Sequence, residues 1–414
     1  MIPLEEARRF VLSRCVRATP VSVALESALG CVIAESIRSS EVVPPFANTA
    51  MDGFAVRASD TIGASATPVA LRLVGTVRAG MSGLDTPVRE GEAARIMTGA
   101  PLPPGADAVV MVELAESSED ELTVLVRAEV PVGNHVRPAG DDIKPGDLLI
   151  AEGTALTAAH LGVLATIGIQ QVSIVARPRV GVISTGDELV DDGSPLAPGQ
   201  IRDSNRLTLR SLLRSSGFEA IDLGLVRDDE EAIEAALIAG IENCDALITT
   251  GGVSMGDFDF IKVVLDRIGD MRWMQIAIKP AKPLAFGTII RSSDGAAIPI
   301  FGLPGNPVSS MVSFELFCRP GLRQISGFGP DLLDRPGVVA IADEPLARRP
   351  DGKTHFARVW CEYDLATATH RIRSSGAQGS HHTASMAAAN ALAVLPDGPS
   401  IDVGDAVRVM LLTP

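Results

Sequence analysis

The chain has 414 residues, of which 46% are hydrophobic and 21% charged, and its formal net charge is −15. That length exceeds what one core usually serves and predicts about two to four domains, while the apolar fraction is ample for globular folding. The acidic balance argues against a nucleic-acid or anionic-membrane surface, so an anionic ligand must be met by a local pocket. Cys15, Cys31, Cys244, Cys318 and Cys361 lie far apart with no CxxC pair, which predicts buried reduced thiols rather than zinc ligands or disulfides.

From Met1 to Cys15, the charged Glu5, Glu6, Arg8, Arg9 and Arg14 are interleaved with Leu4, Ala7, Phe10 and Val11. This spacing predicts an amphipathic helix and lacks the apolar core of a secretory leader. Leu71 to Val77, Ala108 to Val112 and Leu122 to Val126 are β-rich runs separated by Gly and Pro, the pattern of a β subdomain. Ala155 to Ala176 is strongly apolar but is interrupted by His160, Gly168, Gln170 and Gln171. It predicts a helix and then a strand instead of a membrane span, and a cytoplasmic location is the expectation.

Val180 to Thr185, Ala220 to Val226, Ala246 to Thr250 and Ile298 to Leu303 read as short buried strands with helical patterns between them. That alternation predicts a parallel α/β sheet. One helix follows Asp203, Ser204 and Asn205, turns Leu207, Leu212 and Leu213 inward, and stops at Gly217. The next follows Asp228 and Asp229, which read by themselves as helix caps and dipole partners. In open sheets of this kind, ligands sit beyond the carboxyl ends of the strands.

The richest of these ends is Gly251 to Asp259, where Gly251, Gly252, Ser254, Gly256, Asp257 and Asp259 lie between the strand ending at Thr250 and a helical pattern through Phe260, Ile261, Val264 and Leu265. Glycines let the backbone approach a ligand, and the free N–H groups of a helix start suit a phosphate. Asp257 and Asp259 could cap that helix or hold a metal. Gly186, Asp187 and Glu188 follow the strand at Val180; Pro304, Gly305 and Asn306 follow the strand at Ile298, with Pro307 at a first helical position. Ile278 to Gly287 places Lys279 and Lys282 in a proline-stiffened loop, the residue types of an oxyanion clamp. From about Gly337 alternation returns, as in Asp405, Ala406, Val407, Arg408 and Val409, and predicts a small terminal β domain. Composition shifts near Arg177-Pro178 and from Pro330 to Pro336 mark linkers.

PPFANTAMDGFAV (Pro44 to Val56), RIMTGAPLPPGADAVV (Arg95 to Val110), RPAGDDIKPGD (Arg137 to Asp147), VISTGDEL (Val182 to Leu189), GGVSMGDFDF, IKPAKP and FGLPGNPVSS (Phe301 to Ser310) occur in one order. Together they resemble the molybdopterin molybdenumtransferase family, the MoeA type, which is related to the gephyrin E domain. The resemblance implies an N-terminal region over 1–176 with an inserted β subdomain at about 46–141. It also implies a parallel α/β molybdopterin-binding domain over 177–330 and a small, barrel-like C-terminal β domain over 331–414.

It further implies a homodimer that inserts molybdate into adenylylated molybdopterin and releases AMP with Mg²⁺. A molybdopterin adenylyltransferase would supply the substrate, and molybdoenzymes or their chaperones would accept the product. Asp187, Glu188, Asp228, Asp257 and Asp259 are the candidate acids, with Glu188, Asp228 and Asp259 favoured by the resemblance. Lys279, Lys282 and Ser254 suit molybdate, and Arg358 and Ser380 would join from the last domain. Asp52, Thr98, Asp141 and Asp142 would reach the site of the partner subunit; read alone, Asp52 and Thr98 are turn residues. His381 and His382 stand where a small residue is more typical of the family. Two rival readings are an adenylyltransferase, which resembles the central module alone, and a non-catalytic scaffold, which would tolerate neutral substitutions at Glu188 or Lys279.

Overall fold

Period-two burial between Gly53 and Val126 produces a sheet with a core on each face. The computed structural model describes residues 1–120, 122–252 and 260–412. Its strands here pair in the order Ala108–Met111, Gly53–Val56, Glu92–Ile96, Val69–Val77, Thr123–Val126 and Ala115–Ser117. Successive side chains point to opposite faces. Phe54, Val56, Ala93, Ala108 and Val110 therefore enter one cluster, whereas Ala55, Ala94 and Val109 enter the other. A Cβ on Gly53 would lie 2.0 Å from the Val110 carbonyl oxygen, so this close strand approach requires glycine.

The chain enters and leaves this sheet through a smaller unit. Pro20–Ala24 pairs antiparallel with Gln171–Val175, and Ile37–Arg38 pairs with Leu148–Ile150. The stretch expected to divide into helix and strand does so, as helix Ala158–Thr166 and strand Gln171–Val175. Thr157 and His160 form a reciprocal cap at that helix start.

The central module contains the four expected strands, observed as Arg179–Thr185, Glu219–Val226, Ala246–Thr250 and Ala297–Leu303. Its order is Glu219–Val226, Arg179–Thr185, Ala246–Thr250, Ala297–Leu303, Pro283–Ile290 and Asp270–Gln275. The first four run parallel, but Pro283–Ile290 runs antiparallel to both of its neighbours, Ala297–Leu303 and Asp270–Gln275. The sheet is therefore mixed, and much of what reads as a lysine loop is the edge-proximal strand Pro283–Ile290. Its proline opens the strand, where a missing N–H costs no interior ladder bond.

Leu209 and Leu213 of helix Asn205–Ser215 cover one face of the sheet, together with Ala7 and Val11 of the amphipathic helix Leu4–Arg14. Leu207, expected to point inward, is 64% exposed; the inward stripe instead runs through Leu209 and Leu213 at i, i+4 spacing, with Leu212 partly buried beside it. Ile233, Leu237 and Ile241 pack on the other face with Ile261, Val264 and Leu265. The result is a three-layer α/β module. All five cysteines are buried and free.

The last domain is a closed five-stranded barrel: Gly337–Ala342, Thr369–Ser374, Thr354–Asp364, Ala391–Leu395 and Ala406–Leu411, which returns to the first strand. Closure leaves no free sheet edge within the ring. Val407 and Val409 point into its core, as their alternation predicts. Several links dock the barrel on the central module. Ile278–Lys279 pairs in parallel with Thr354 and His355. Buried Glu315, at 2% exposure, accepts from Arg335 at 2.9 and 3.0 Å.

Breaking a buried ion pair by removing one partner leaves an uncompensated charge and costs about 3–5 kcal/mol. Arg335→Ala is expected to lower the denaturant midpoint accordingly. Gly53→Ala should disrupt the inserted sheet at a cost of roughly 1–3 kcal/mol, read as a lowered thermal midpoint with the far-UV spectrum of the helices retained.

Candidate functional site

Strands Arg179–Thr185 and Ala246–Thr250 are neighbours, but the chain leaves them in opposite directions across the sheet. Their carboxyl ends diverge and open a crevice, the usual ligand position in an open α/β sheet. A cleft of about 670 Å³ occupies it, walled by Ser184, Thr185 and Glu188, by Thr250, Gly251 and Gly252, by Pro304 to Pro307, and by His381 and Thr383. Gly251 has φ +95°, and a Cβ there would sit 2.9 Å from the Thr185 carbonyl oxygen. The glycines thus let two strand ends touch while their backbone faces the cleft. Ser254, Gly256, Asp257 and Asp259 lie outside the described residues.

A residue that reads in the sequence as a capping candidate organises this crevice. The N-cap position belongs to Ser204, whose side chain makes no cap bond. The Asn205 Nδ2 instead donates to Thr250 Oγ1 at 2.8 Å and to the Gly305 carbonyl at 2.7 Å. It ties the helix start to the ends of two strands. Asn205 Oδ1 and Ser184 Oγ are buried without a protein partner, and both residues line the cleft. Buried polar atoms cost free energy unless they are hydrogen-bonded. The sequence signal available was Asn205 itself, beside Asp203 at the end of a strand-to-helix loop. Arg206 anchors that loop by donating to Asp203 at 2.9 Å and to Asp222 at 2.6 Å, and it also pairs with Asp191.

Pro304, Gly305 and Asn306 form the opposite wall. Asn306 caps helix Pro307–Ser313 without a side-chain bond. The Val308 N–H, one of the donors expected to face an anion, is taken by the Ser380 carbonyl at 3.1 Å. Ser380 therefore acts through its backbone, seating the barrel loop against the helix start.

Asp187, Glu188 and Asp228 gather at the ends of the adjacent strands Arg179–Thr185 and Glu219–Val226. The Asp228 N–H donates to Asp187 Oδ1 at 3.3 Å. Burial, joined by the negative charges of Asp187 and Glu188, pushes the Asp228 carboxyl up against one opposing hydrogen bond from the Asp187 backbone. Among the described residues no three metal-ligating side chains converge as a ready ion site, and the fourth expected ligand, Asp259, is outside them. Oxygen donors whose mutual repulsion raises a carboxyl fit a hard divalent cation in chemistry.

Lys279 lies elsewhere. With Arg348, Arg349, His355, Arg358 and Gln378, it lines a second cleft of about 920 Å³ between the central module and the barrel. The Arg358 side chain is buried and donates to the carbonyls of Ala377 and Gly379 at 3.0 and 3.1 Å, and its Nε has no partner. Although desolvation opposes it, hydrogen bonds from Lys353 and His355 hold the carboxyl of Asp351, the one acid in this wall, at about 2. Ala281, buried with φ +73°, makes the turn between the two lysines in a conformation unusual for a residue with a Cβ. Lys282 is exposed and lines neither cleft.

Asp52, Thr98, Asp141 and Asp142 do not line either cleft of their own chain. Asp52 is nevertheless fixed: Thr98 donates to its Oδ1 from the backbone at 2.6 Å and from the hydroxyl at 2.8 Å. These bonds, with Arg95 nearby, hold the Asp52 carboxyl below its ordinary range. Asp141 and Asp142 are exposed, beside the bridge between Val43 and Ile143.

The model of the MoeA N-terminal region (domain I and II) matches residues 2–168. That of the probable molybdopterin binding domain matches 181–324, and that of the MoeA C-terminal region (domain IV) matches 340–412. The molybdopterin molybdenumtransferase of Haemophilus influenzae is 37% identical over 99% of this chain and 98% of its own length. Gephyrin of Dictyostelium discoideum is 33% identical over all of this chain and 62% of its own. The crystal structure of the molybdopterin biosynthesis moeA protein from Pyrococcus horikoshii OT3 has a TM-score of 0.79 at 27% identity, covering 99% of this chain and all of that one. With this likeness running from end to end and the three regions matched in order, the chain belongs to the molybdopterin molybdenumtransferase, or MoeA, family.

Proposed function

We propose that this protein inserts molybdate into adenylylated molybdopterin with release of AMP, completing the molybdenum cofactor. The observation that carries the reading is the switch-point cleft, with orphaned Ser184 Oγ and Asn205 Oδ1 and the Gly251-Gly252 backbone facing one space beside Glu188. Cleaving a phosphoric anhydride depends on positioning and charge neutralisation more than on covalent catalysis. The cleft's polar groups would hold the adenylyl and pyrophosphate parts, with Pro304, Gly305 and Asn306 forming the far wall and Ser254, Gly256 and Asp257 completing the glycine loop. Asp187, Glu188, Asp228 and Asp259 would hold Mg²⁺, which when bound supplies Lewis-acid neutralisation of the phosphates. Lys279 and buried Arg358, which line one cleft, would bind the molybdate dianion, whereas Lys282, outside both clefts, would meet it only in passage; Ser380 would position the loop between the clefts.

The protein acts as a cytoplasmic homodimer on this reading. Asp52 and Thr98 form a hydrogen-bonded pair outside the clefts of their own chain, which supports delivery of that pair, with Asp141 and Asp142, to the partner's cleft. An adenylyltransferase supplies the substrate, and molybdoenzymes or their chaperones take the product.

AMP release from adenylylated molybdopterin should require both molybdate and Mg²⁺. Glu188→Gln is expected to lower kcat by roughly 100-fold or more, as loss of a charge-stabilising group does, and Lys279→Ala to raise the KM for molybdate by about tenfold. Bound ligand without AMP release would favour a scaffold. Subunits carrying Asp52→Ala and Glu188→Gln should each be inactive alone and regain activity when co-assembled, because one site of the mixed dimer is intact; no recovery would place Asp52 in its own chain's site.

Asp228 supplies a pH test. Its folded carboxyl is raised, so its contribution to stability is present at low pH and is lost as pH rises through the folded pKa. Without Mg²⁺, Asp228→Asn should melt higher than the parent at pH 7–8, the gap closing as pH falls below the carboxylate range. Added Mg²⁺ should raise the parent's melting temperature more than the variant's.

A further inference from the structure

His381, on the barrel loop, lines the switch-point cleft. The loop that carries it is built to hold it. Arg358 donates to two of its carbonyls, and Gln378 Nε2 donates to the Arg358 and Gly376 carbonyls at 3.0 and 2.9 Å. The Ser380 carbonyl is bonded to the Val308 N–H. Gly379 leaves room for both imidazoles: a Cβ there would lie 2.9 Å from His382 Nδ1 and 3.0 Å from His381 Cε1.

The two rings are not equivalent. Their centroids are 4.1 Å apart, so two imidazolium charges would repel strongly. His382 Nδ1 accepts from the Gly379 N–H at 3.2 Å. His382 is thereby engaged within its own loop. Of the pair, it is His381 that lines the cleft. Among the described residues around the cleft the other ionisable groups are Glu188, Arg202 and Asp203, and Asp203 is already engaged by Arg206. Among the described residues the histidine paired with a carboxylate is His355, so His381 is not neutralised by Glu188.

We infer that His381 is a protonation-dependent anchor for the phosphate of the nucleotide portion of the substrate. Charged, it donates to a phosphoryl oxygen from the barrel side of the cleft; neutral, it loses the charge-assisted part of that bond. Histidine is the side chain whose charge ordinarily changes between pH 5 and 8, so nucleotide affinity is tuned by pH there. The inference rests on the adenylyl-binding reading of this cleft.

The test is calorimetric binding of AMP, at fixed ionic strength and at pH 6 and 8, to the full-length protein and to His381→Gln and His382→Asn. His381 is exposed, so its substitution should leave the melting temperature unchanged, and comparing proteins cancels the ligand's own titration. The parent-to-His381→Gln affinity ratio should be near unity at pH 8 and about five- to tenfold at pH 6, the scale of a charge-assisted hydrogen bond. His382→Asn should keep the parent's pH response. AMP binding with the same pH response in parent and His381→Gln would overturn the role of His381 alone. No AMP binding by any of the proteins at either pH would overturn it together with the nucleotide reading of the cleft.

Discussion

The side-chain amide of Asn205 is the point on which the cleft depends. Two strands that diverge at a switch point leave a gap, and a gap between loops collapses or wanders unless something spans it. Asn205 spans it with two donors, one to a threonine hydroxyl and one to a backbone carbonyl. The remaining amide oxygen is left over. Because an amide offers donors and an acceptor on one rigid plane, the same residue can fix the protein's loops and still present an acceptor to a ligand. The Arg206 ion-pair cluster behind it holds the helix start in register, so the precision of the crevice comes from the first turn of a single helix.

Charge is distributed with the same economy. A chain with a net charge of −15 repels polyanions at long range, and screening confines that repulsion to about a Debye length, near 8 Å at physiological ionic strength. Attraction is concentrated where the substrate would touch. One cleft joins backbone dipoles and glycines to a carboxylate cluster that invites a cation. The other collects Lys279, Arg348, Arg349 and buried Arg358. The barrel loop from Gly376 to His382 separates and serves both, since Arg358 grips it from one side and Val308 receives it on the other.

Much of this was legible in advance because strand burial on two faces and strand-to-helix turns leave strong local patterns. The four parallel strands are local in sequence, and so is the alternation of Val407 and Val409. Pairing partners are not. Nothing in IKPAKP says that Ile278 and Lys279 join a barrel strand, or that Pro283 opens a strand running antiparallel to its neighbour; those facts belong to residues far along the chain. Leu207 misled because the four leucines of helix Asn205–Ser215 satisfy more than one choice of buried stripe. Asn205 was visible as a helix-start residue, but its partners, Thr250 and Gly305, converge only when the sheet is assembled. Lys279 and Lys282, three residues apart in sequence, part company because the buried left-handed Ala281 lies between them.

The amphipathic helix Leu4–Arg14 has a temporal consequence. It is made long before its partners: Arg8 hydrogen-bonds to the Leu316 carbonyl across a sequence separation of 308 residues, and Ala7 and Val11 pack with Phe301 and Leu322. At translation rates of about 5–20 residues per second, its apolar stripe waits roughly 15–60 s for a partner. Through that interval the nascent chain carries an uncovered hydrophobic surface, the kind of surface that holding chaperones bind.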